Sequence, residues 1–99
     1  MIVRPDGEGT VLLAGELDTL GARVLREHLE SWFLRPSGRR LVLDASAVTF
    51  MDVAGLRVLV WAHERLGESG GELVLRRPAH PVLRLLDVCG PHGLVIDLD

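Results

Sequence analysis

The sequence of 99 residues is poor in cysteine, in aromatic side chains and in lysine. Its single cysteine, Cys89, excludes an internal disulfide and indicates a reducing compartment. Only 4% of the residues are aromatic, so we expect a core of Leu, Val and Ala. Lysine is absent, and 11 basic residues stand against 14 acidic ones. The resulting net charge of −3 disfavours a nucleic-acid partner, which would call for a basic face.

Long apolar runs are also missing. No stretch approaches the ~20 apolar residues that a membrane-spanning helix needs, which argues against membrane insertion. Residues 1–6 lack the basic and then apolar pattern of a signal peptide. The hydrophobic fraction of 47% is sufficient for a core, and the length predicts a single domain over residues 1–99. We therefore expect one cytoplasmic domain.

Hydrophobic periodicity and turn residues predict the element order β-β-α-β-α-β-α-β. The predicted strands cover residues 2–3, 10–14, 41–43, 72–75 and 94–96, and the predicted helices cover residues 20–33, 53–66 and 81–89. A turn at residues 35–38 ends the first helix. Because strands alternate with helices, the fold class is α/β. We expect a four- to five-stranded mixed sheet with an N-terminal hairpin, packed with three or more helices.

Four carboxylates lie at or just beyond the C-terminal ends of predicted strands. Open α/β sheets usually bind ligands at that edge, and carboxylate oxygens suit Mg²⁺. The alternative is structural: Asp52 caps the second helix, Asp44 ends a strand in solvent, and Glu16 and Asp18 lie in a solvated loop. No phosphate-binding glycine loop accompanies them, which favours the structural interpretation. The four residues are Glu16, Asp18, Asp44 and Asp52.

The other reactive side chains form no recognisable motif. The four histidines lack metal-ligand spacing, and no serine stands in a GxSxG context. Cys89 lies on the apolar stripe of the third predicted helix, where we expect a small core residue. We therefore predict that the chain is not an enzyme, and we assign it no cofactor and no metal.

The most distinctive surface is the start of the second predicted helix. Asp52 stands where an N-cap belongs, since its carboxylate can accept from the free N–H groups of the first turn. The next three residues, Val53, Ala54 and Gly55, form a small-residue turn that would let another protein approach the backbone closely. This helix start suits a partner loop or an anion.

Three segments resemble the STAS domain of bacterial anti-sigma-factor antagonists: residues 15–18 (GELD), 41–44 (LVLD) and 48–59 (VTFMDVAGLRVL). The strand entry at residues 70–73 and the helix at 82–86 are also similar to that family. The resemblance covers almost the whole chain. It implies the STAS fold and, as function, binding to an anti-sigma factor that is a serine kinase of the GHKL type. The partner-binding residues that it implies are Glu16, Asp18, Asp52, Val53, Ala54 and Gly55.

The sequence departs from the family pattern at one position. In that family the kinase inactivates the antagonist by phosphorylating a Ser or Thr directly after the motif Asp. Here Val53 follows Asp52 and stands at the phosphosite without a hydroxyl. Thr49 and Ser46 are nearby, but Thr49 precedes the helix by several residues and would need a different kinase geometry. The resemblance therefore implies docking that is not controlled by phosphorylation at the usual position.

Two other functions stay open at this point. The chain also resembles, in fold and motif, STAS subunits of other complexes, such as the small cytoplasmic subunit of a lipid-transport ABC transporter. Alternatively, the acidic strand ends at Asp18, Asp44 and Asp52 bind a ligand or Mg²⁺. A homodimer through a sheet edge or through the helices is compatible with either function.

Overall fold

The computed structural model describes residues 1–7, 9–34 and 40–99, and its elements follow the predicted order. The strands are β1 (Ile2–Pro5), β2 (Thr10–Leu17), β3 (Arg40–Met51), β4 (Glu72–Arg76) and β5 (Val95–Asp97), and the helices are α1 (Thr19–Phe33), α2 (Val53–Glu68) and α3 (His80–Cys89). The turn predicted at residues 35–38 lies outside the described residues. In the described ranges, no helix is both long and apolar enough to cross a membrane.

The five strands form one mixed sheet in the spatial order β1-β2-β3-β4-β5. β1 and β2 pair antiparallel, which confirms the predicted hairpin, and the remaining neighbours pair parallel. Each parallel pair is joined by a helix, as parallel strands require a crossover connection. The parallel strands therefore end at one edge of the sheet, and the helices begin there.

The core is aliphatic, as predicted. Alternate residues of the strands, such as Leu13, Leu43 and Leu75, point to one face of the sheet and are fully buried. All three helices add residues to this cluster, for example Leu29 from α1 and Val82 from α3. No aromatic side chain is among the buried hydrophobic residues of the described ranges. Burying each of these aliphatic side chains stabilises the fold by roughly 1.5–3 kcal/mol.

β3 is longer than the sequence predicts. The predicted strand stops at Leu43, whereas the observed strand continues to Met51 beside β2. Two register shifts, each adding one residue to β3, interrupt the pairing opposite residues 12–14 and 15–16 of β2. Bulges of this kind break the alternation of apolar and polar residues. The apolar and polar residues at positions 44–50 therefore do not alternate as they would in a regular strand, although the chain is extended there.

Asp44 is placed differently from its prediction. It was expected at a strand end in solvent, but it lies within β3 and is only 2% exposed. Its Oδ1 accepts hydrogen bonds from Ser46 N at 3.0 Å and Ser46 Oγ at 2.7 Å, and its Oδ2 pairs with Arg77. Burial by itself would raise the pKa of Asp44, but the hydrogen bonds from Ser46 and the Arg77 guanidinium outweigh it. The pKa of Asp44 therefore lies below its ordinary value.

Backbone hydrogen bonds to β3 and to β5 hold the connection from β4 to α3. Arg77 has a φ of +46°, in the left-handed region that costs a non-glycine residue about 1 kcal/mol. Its N–H donates to Asp97 O at 2.6 Å, while Ala79 N donates to Ala45 O at 3.1 Å. These bonds, together with the ion pair to Asp44, hold the turn between β3 and β5.

The prediction that Cys89 is a core residue is wrong. Val82 and Leu86 of α3 are buried as its apolar stripe requires, but Cys89 is exposed. It is the last residue of the helix, and the neighbouring Val88 is also exposed. The final turn of α3 therefore extends past the packed part of the helix, which periodicity within the helix does not reveal.

The Asp44–Arg77 pair leads to a prediction about acid stability. Asp44→Asn keeps an acceptor for Ser46 but removes the charge that faces Arg77, and it should lower the free energy of unfolding at pH 7 by about 1–3 kcal/mol. Because the pKa of Asp44 is lowered on folding, its contribution is complete above the unfolded value of about 4. It is lost as the pH falls through the lower folded pKa.

The difference between wild type and variant should therefore shrink below about pH 4, as measured by urea unfolding between pH 7 and pH 2.5. Asp87→Asn, which changes an exposed carboxylate on α3, is the matched control and should have little effect. A constant difference over the whole pH range would contradict the role assigned to the ionised Asp44.

Candidate functional site

Two motifs that are far apart in the sequence meet at one edge of the sheet. β2 and β3 end side by side, and α1 and α2 begin directly after them. Asp52 N donates to Leu17 O at 3.3 Å, and Glu16 is the register partner of Phe50. The GELD segment at residues 15–18 therefore lies next to the segment at residues 50–55.

Both aspartates of this edge cap a helix. Asp52 Oδ1 accepts from Ala54 N at 2.9 Å and from Gly55 N at 3.3 Å, which confirms its predicted role. Asp18 was assigned to a solvated loop, but its Oδ1 accepts from Gly21 N at 2.8 Å and caps α1. Each cap contributes about 1 kcal/mol, and each carboxylate offsets the positive pole of its helix.

The first turns of α1 and α2 lie against the main chain at the end of β2. A Cβ atom added to Gly21 would be 2.1 Å from Glu16 O, and one added to Gly55 would be 2.5 Å from Leu17 O. Neither position has room for a side chain. Gly55 is buried. The small-residue turn therefore permits a close approach by Leu17 of the same chain and not, at Gly55, by another protein.

Three large apolar side chains are exposed at this edge: Leu20 in the first turn of α1 (67%), Phe50 at the end of β3 (46%) and Val53 at the start of α2 (48%). Sequence reasoning found Val53 but missed Leu20 and Phe50, since each continues an apolar pattern that is typical of a core. Ala54 is half-buried beside Val53. We define the docking edge as Glu16, Asp18, Leu20, Phe50, Asp52 and Val53.

The acidic residues do not converge into a metal site. Among the residues that the structure describes, no group of three or more His, Cys, Asp or Glu side chains could hold a metal ion. Asp18 and Asp52 cap separate helices, and Asp44 is committed to Ser46 and Arg77. These contacts favour structural roles for the three aspartates over the Mg²⁺ site, but the roles of Asp18 and Asp44 differ from those predicted.

The two hydroxyl-bearing residues in the segment leading up to Asp52, Ser46 and Thr49, both lie on β3. Ser46 Oγ is engaged with Asp44, and Thr49 is exposed within the strand rather than at the start of α2. Neither occupies the position that follows Asp52.

Comparison with known proteins finds anti-sigma factor antagonists both by sequence and by structure. The family model described as "Mlab, STAS domain" matches residues 1–96. An anti-sigma-B factor antagonist of Bacillus subtilis is 36% identical over 85 residues, which cover 86% of this chain and 76% of that protein. An anti-sigma F factor antagonist of Paenibacillus polymyxa is 32% identical over 80 residues, covering 81% of this chain and 68% of the relative.

Solved structures of similar fold carry related names. The anti-sigma factor antagonist SpoIIAA in its unphosphorylated form matches with a TM-score of 0.72 and 18% identity, covering 96% of this chain and 84% of that one. A putative anti-sigma factor antagonist from Thermotoga maritima matches with a TM-score of 0.77 and 24% identity, covering 93% and 81%. At these identities the likeness concerns the fold.

The tight packing of α2 on β2 generates a prediction with an internal control. Gly55→Ala places a methyl group against Leu17 O and should lower the free energy of unfolding by about 1–3 kcal/mol. Gly67→Ala, near the other end of the same helix, meets nothing within 4 Å and should raise it by up to about 1 kcal/mol. Urea denaturation of both variants measures the difference. Equal stabilities would show that the first turn of α2 moves away from β2 at little cost.

Proposed function

The chain belongs to the STAS domain family of anti-sigma factor antagonists, and from this premise we propose that its docking edge binds an anti-sigma factor in the cytoplasm. The partner is a serine kinase of the GHKL type. The observation that carries this proposal is the exposure of Leu20, Phe50 and Val53 where the two family-like motifs meet. The relatives are named as antagonists of anti-sigma factors, which agrees with a role other than catalysis.

The chemistry of the docking edge indicates what the partner surface must offer. Phe50 and Val53 supply an apolar centre, and Glu16 lies beside Phe50 with its side chain exposed. Protein interfaces commonly combine an apolar centre with a polar rim of complementary charge. The docking edge therefore suits a partner with an apolar contact surrounded by arginine or lysine.

The lack of a hydroxyl on Val53 determines how the binding is regulated. It is the first residue of α2, directly after the capping Asp52, and its side chain faces solvent. A hydroxyl here would be accessible to a kinase, and its phosphate would bring a charge of about −2 next to Asp52. Valine accepts no phosphate. Binding is therefore controlled by the amount of the protein or of its partner and not by phosphorylation at this position.

Val53→Asp tests the place of docking. The new carboxylate should weaken partner binding about tenfold or more, because an apolar contact is lost and a charge must be desolvated at the interface. Stability should change little, since an acidic residue is favourable in the first turn of a helix. Binding is measured by calorimetry with the anti-sigma factor recovered from the same cells.

The matched control is Val88→Asp, which makes the same substitution at an exposed position near the end of α3. It should leave the affinity unchanged. If both variants bind like wild type, the interface lies elsewhere on the molecule. If wild type itself recovers no anti-sigma factor, the proposed function is wrong.

Val53→Ser tests whether the surroundings of the phosphosite still suit a kinase. After incubation with the kinase and ATP, intact-mass analysis should show one added phosphate on the variant and none on wild type. The phosphorylated variant should then bind the partner more weakly. An unmodified variant that still binds would show that the kinase no longer recognises this segment as a substrate.

A further inference from the structure

A groove of about 600 Å³ lies between the C-terminal halves of α1 and α2, away from the docking edge. The helices begin at the docking edge, and α1 is 15 residues long, so Phe33 lies roughly 20 Å from its start. The residues that line the groove include Arg26, Glu30, Phe33, Leu34, Trp61 and Arg65.

The aromatic residues of the chain are concentrated here. Of the two tryptophans and two phenylalanines, three form an edge-to-face cluster: Trp32 and Phe33 with ring centroids 5.5 Å apart, and Phe33 and Trp61 at the same distance. All three are half-buried, while the core itself is aliphatic. Leu34, 85% exposed, lies beside them. Apolar area of this kind at the surface is typical of a binding site.

Two arginines are held over these rings. The Arg26 guanidinium lies 4.4 Å from the Trp61 ring centroid, and that of Arg65 lies 5.3 Å from the Phe33 centroid. Among the described lining residues, Glu30 is the one carboxylate, 3.9 Å from Arg26. The described lining therefore carries two positive charges and one negative charge, whereas the chain as a whole is at −3. Its local charge suits an anion.

We propose that this groove binds a small organic anion with an apolar body, such as a medium-chain carboxylate. The carboxylate pairs with Arg26 and Arg65, and the hydrocarbon lies along Phe33, Leu34 and Trp61. The volume falls within the range of about 300–1,000 Å³ that small-molecule sites occupy. The site is separate from the docking edge, so it does not depend on the proposed binding of an anti-sigma factor.

Intrinsic fluorescence reports on this groove, because Trp61 lines it and Trp32, the other tryptophan of the chain, packs against Phe33 of the same cluster. Titration of the full chain with octanoate should give a saturable change in emission. Octanamide, which has the same hydrocarbon chain and a planar head group without charge, should bind about fivefold more weakly, as expected for the loss of a partly exposed ion pair.

Three variants assign the binding to named residues. Arg65→Gln should weaken octanoate binding about fivefold and leave octanamide binding unchanged. Glu30→Gln removes the repelling carboxylate and should strengthen octanoate binding. Arg84→Gln, at an exposed arginine of α3, is the matched control and should bind octanoate like wild type.

Each opposite result overturns the proposal. Equal affinities for octanoate and octanamide would mean apolar partitioning without anion recognition. An unsaturable or absent fluorescence change with octanoate would mean that no site exists. An Arg65→Gln variant that binds octanoate as well as Arg84→Gln does would place the anion elsewhere.

Discussion

The close contact of two helix starts with the end of one strand organises this protein. Gly21 and Gly55 allow the first turns of α1 and α2 to lie on the main chain of residues 16–17, where a single methyl group would collide with a carbonyl oxygen. Asp18 and Asp52 then cap the two helices in place. Because the backbone is this tightly constrained, the side chains that point outward from the same edge have a defined arrangement.

This constraint separates the residues of the family-like motif into two groups. Asp18, Asp52 and Gly55 use their hydrogen bonds or their small size within the chain, so they hold the docking edge in shape. Val53 and Phe50 face outward and are available to a partner. At the first position of α2 the chain therefore presents an exposed valine side chain without a hydroxyl, on a backbone that Asp52 and Gly55 hold in place.

The two surfaces of interest lie at opposite ends of the same pair of helices. The N-terminal ends carry the docking edge, and the C-terminal halves carry the arginine-flanked aromatic groove. The aliphatic core beneath them explains this distribution, because close packing of Leu, Val and Ala satisfies the interior without aromatic side chains. The aromatic residues therefore lie half-buried or exposed, where their flat faces and edges can contact arginine or a ligand.

The sequence alone determined the features that depend on near neighbours in the chain: the element order, the aliphatic core, the cap at Asp52 and the missing hydroxyl at Val53. Tertiary structure decided those that depend on distant partners. The bulges that extend β3 arise from its pairing with β2, and Asp44 is buried because Arg77, 33 residues away, neutralises it. The burial of Gly55 and the exposure of Leu20, Phe50 and Cys89 follow from which face another element covers. Periodicity records which residues share a face of one element, but only packing decides whether that face is covered.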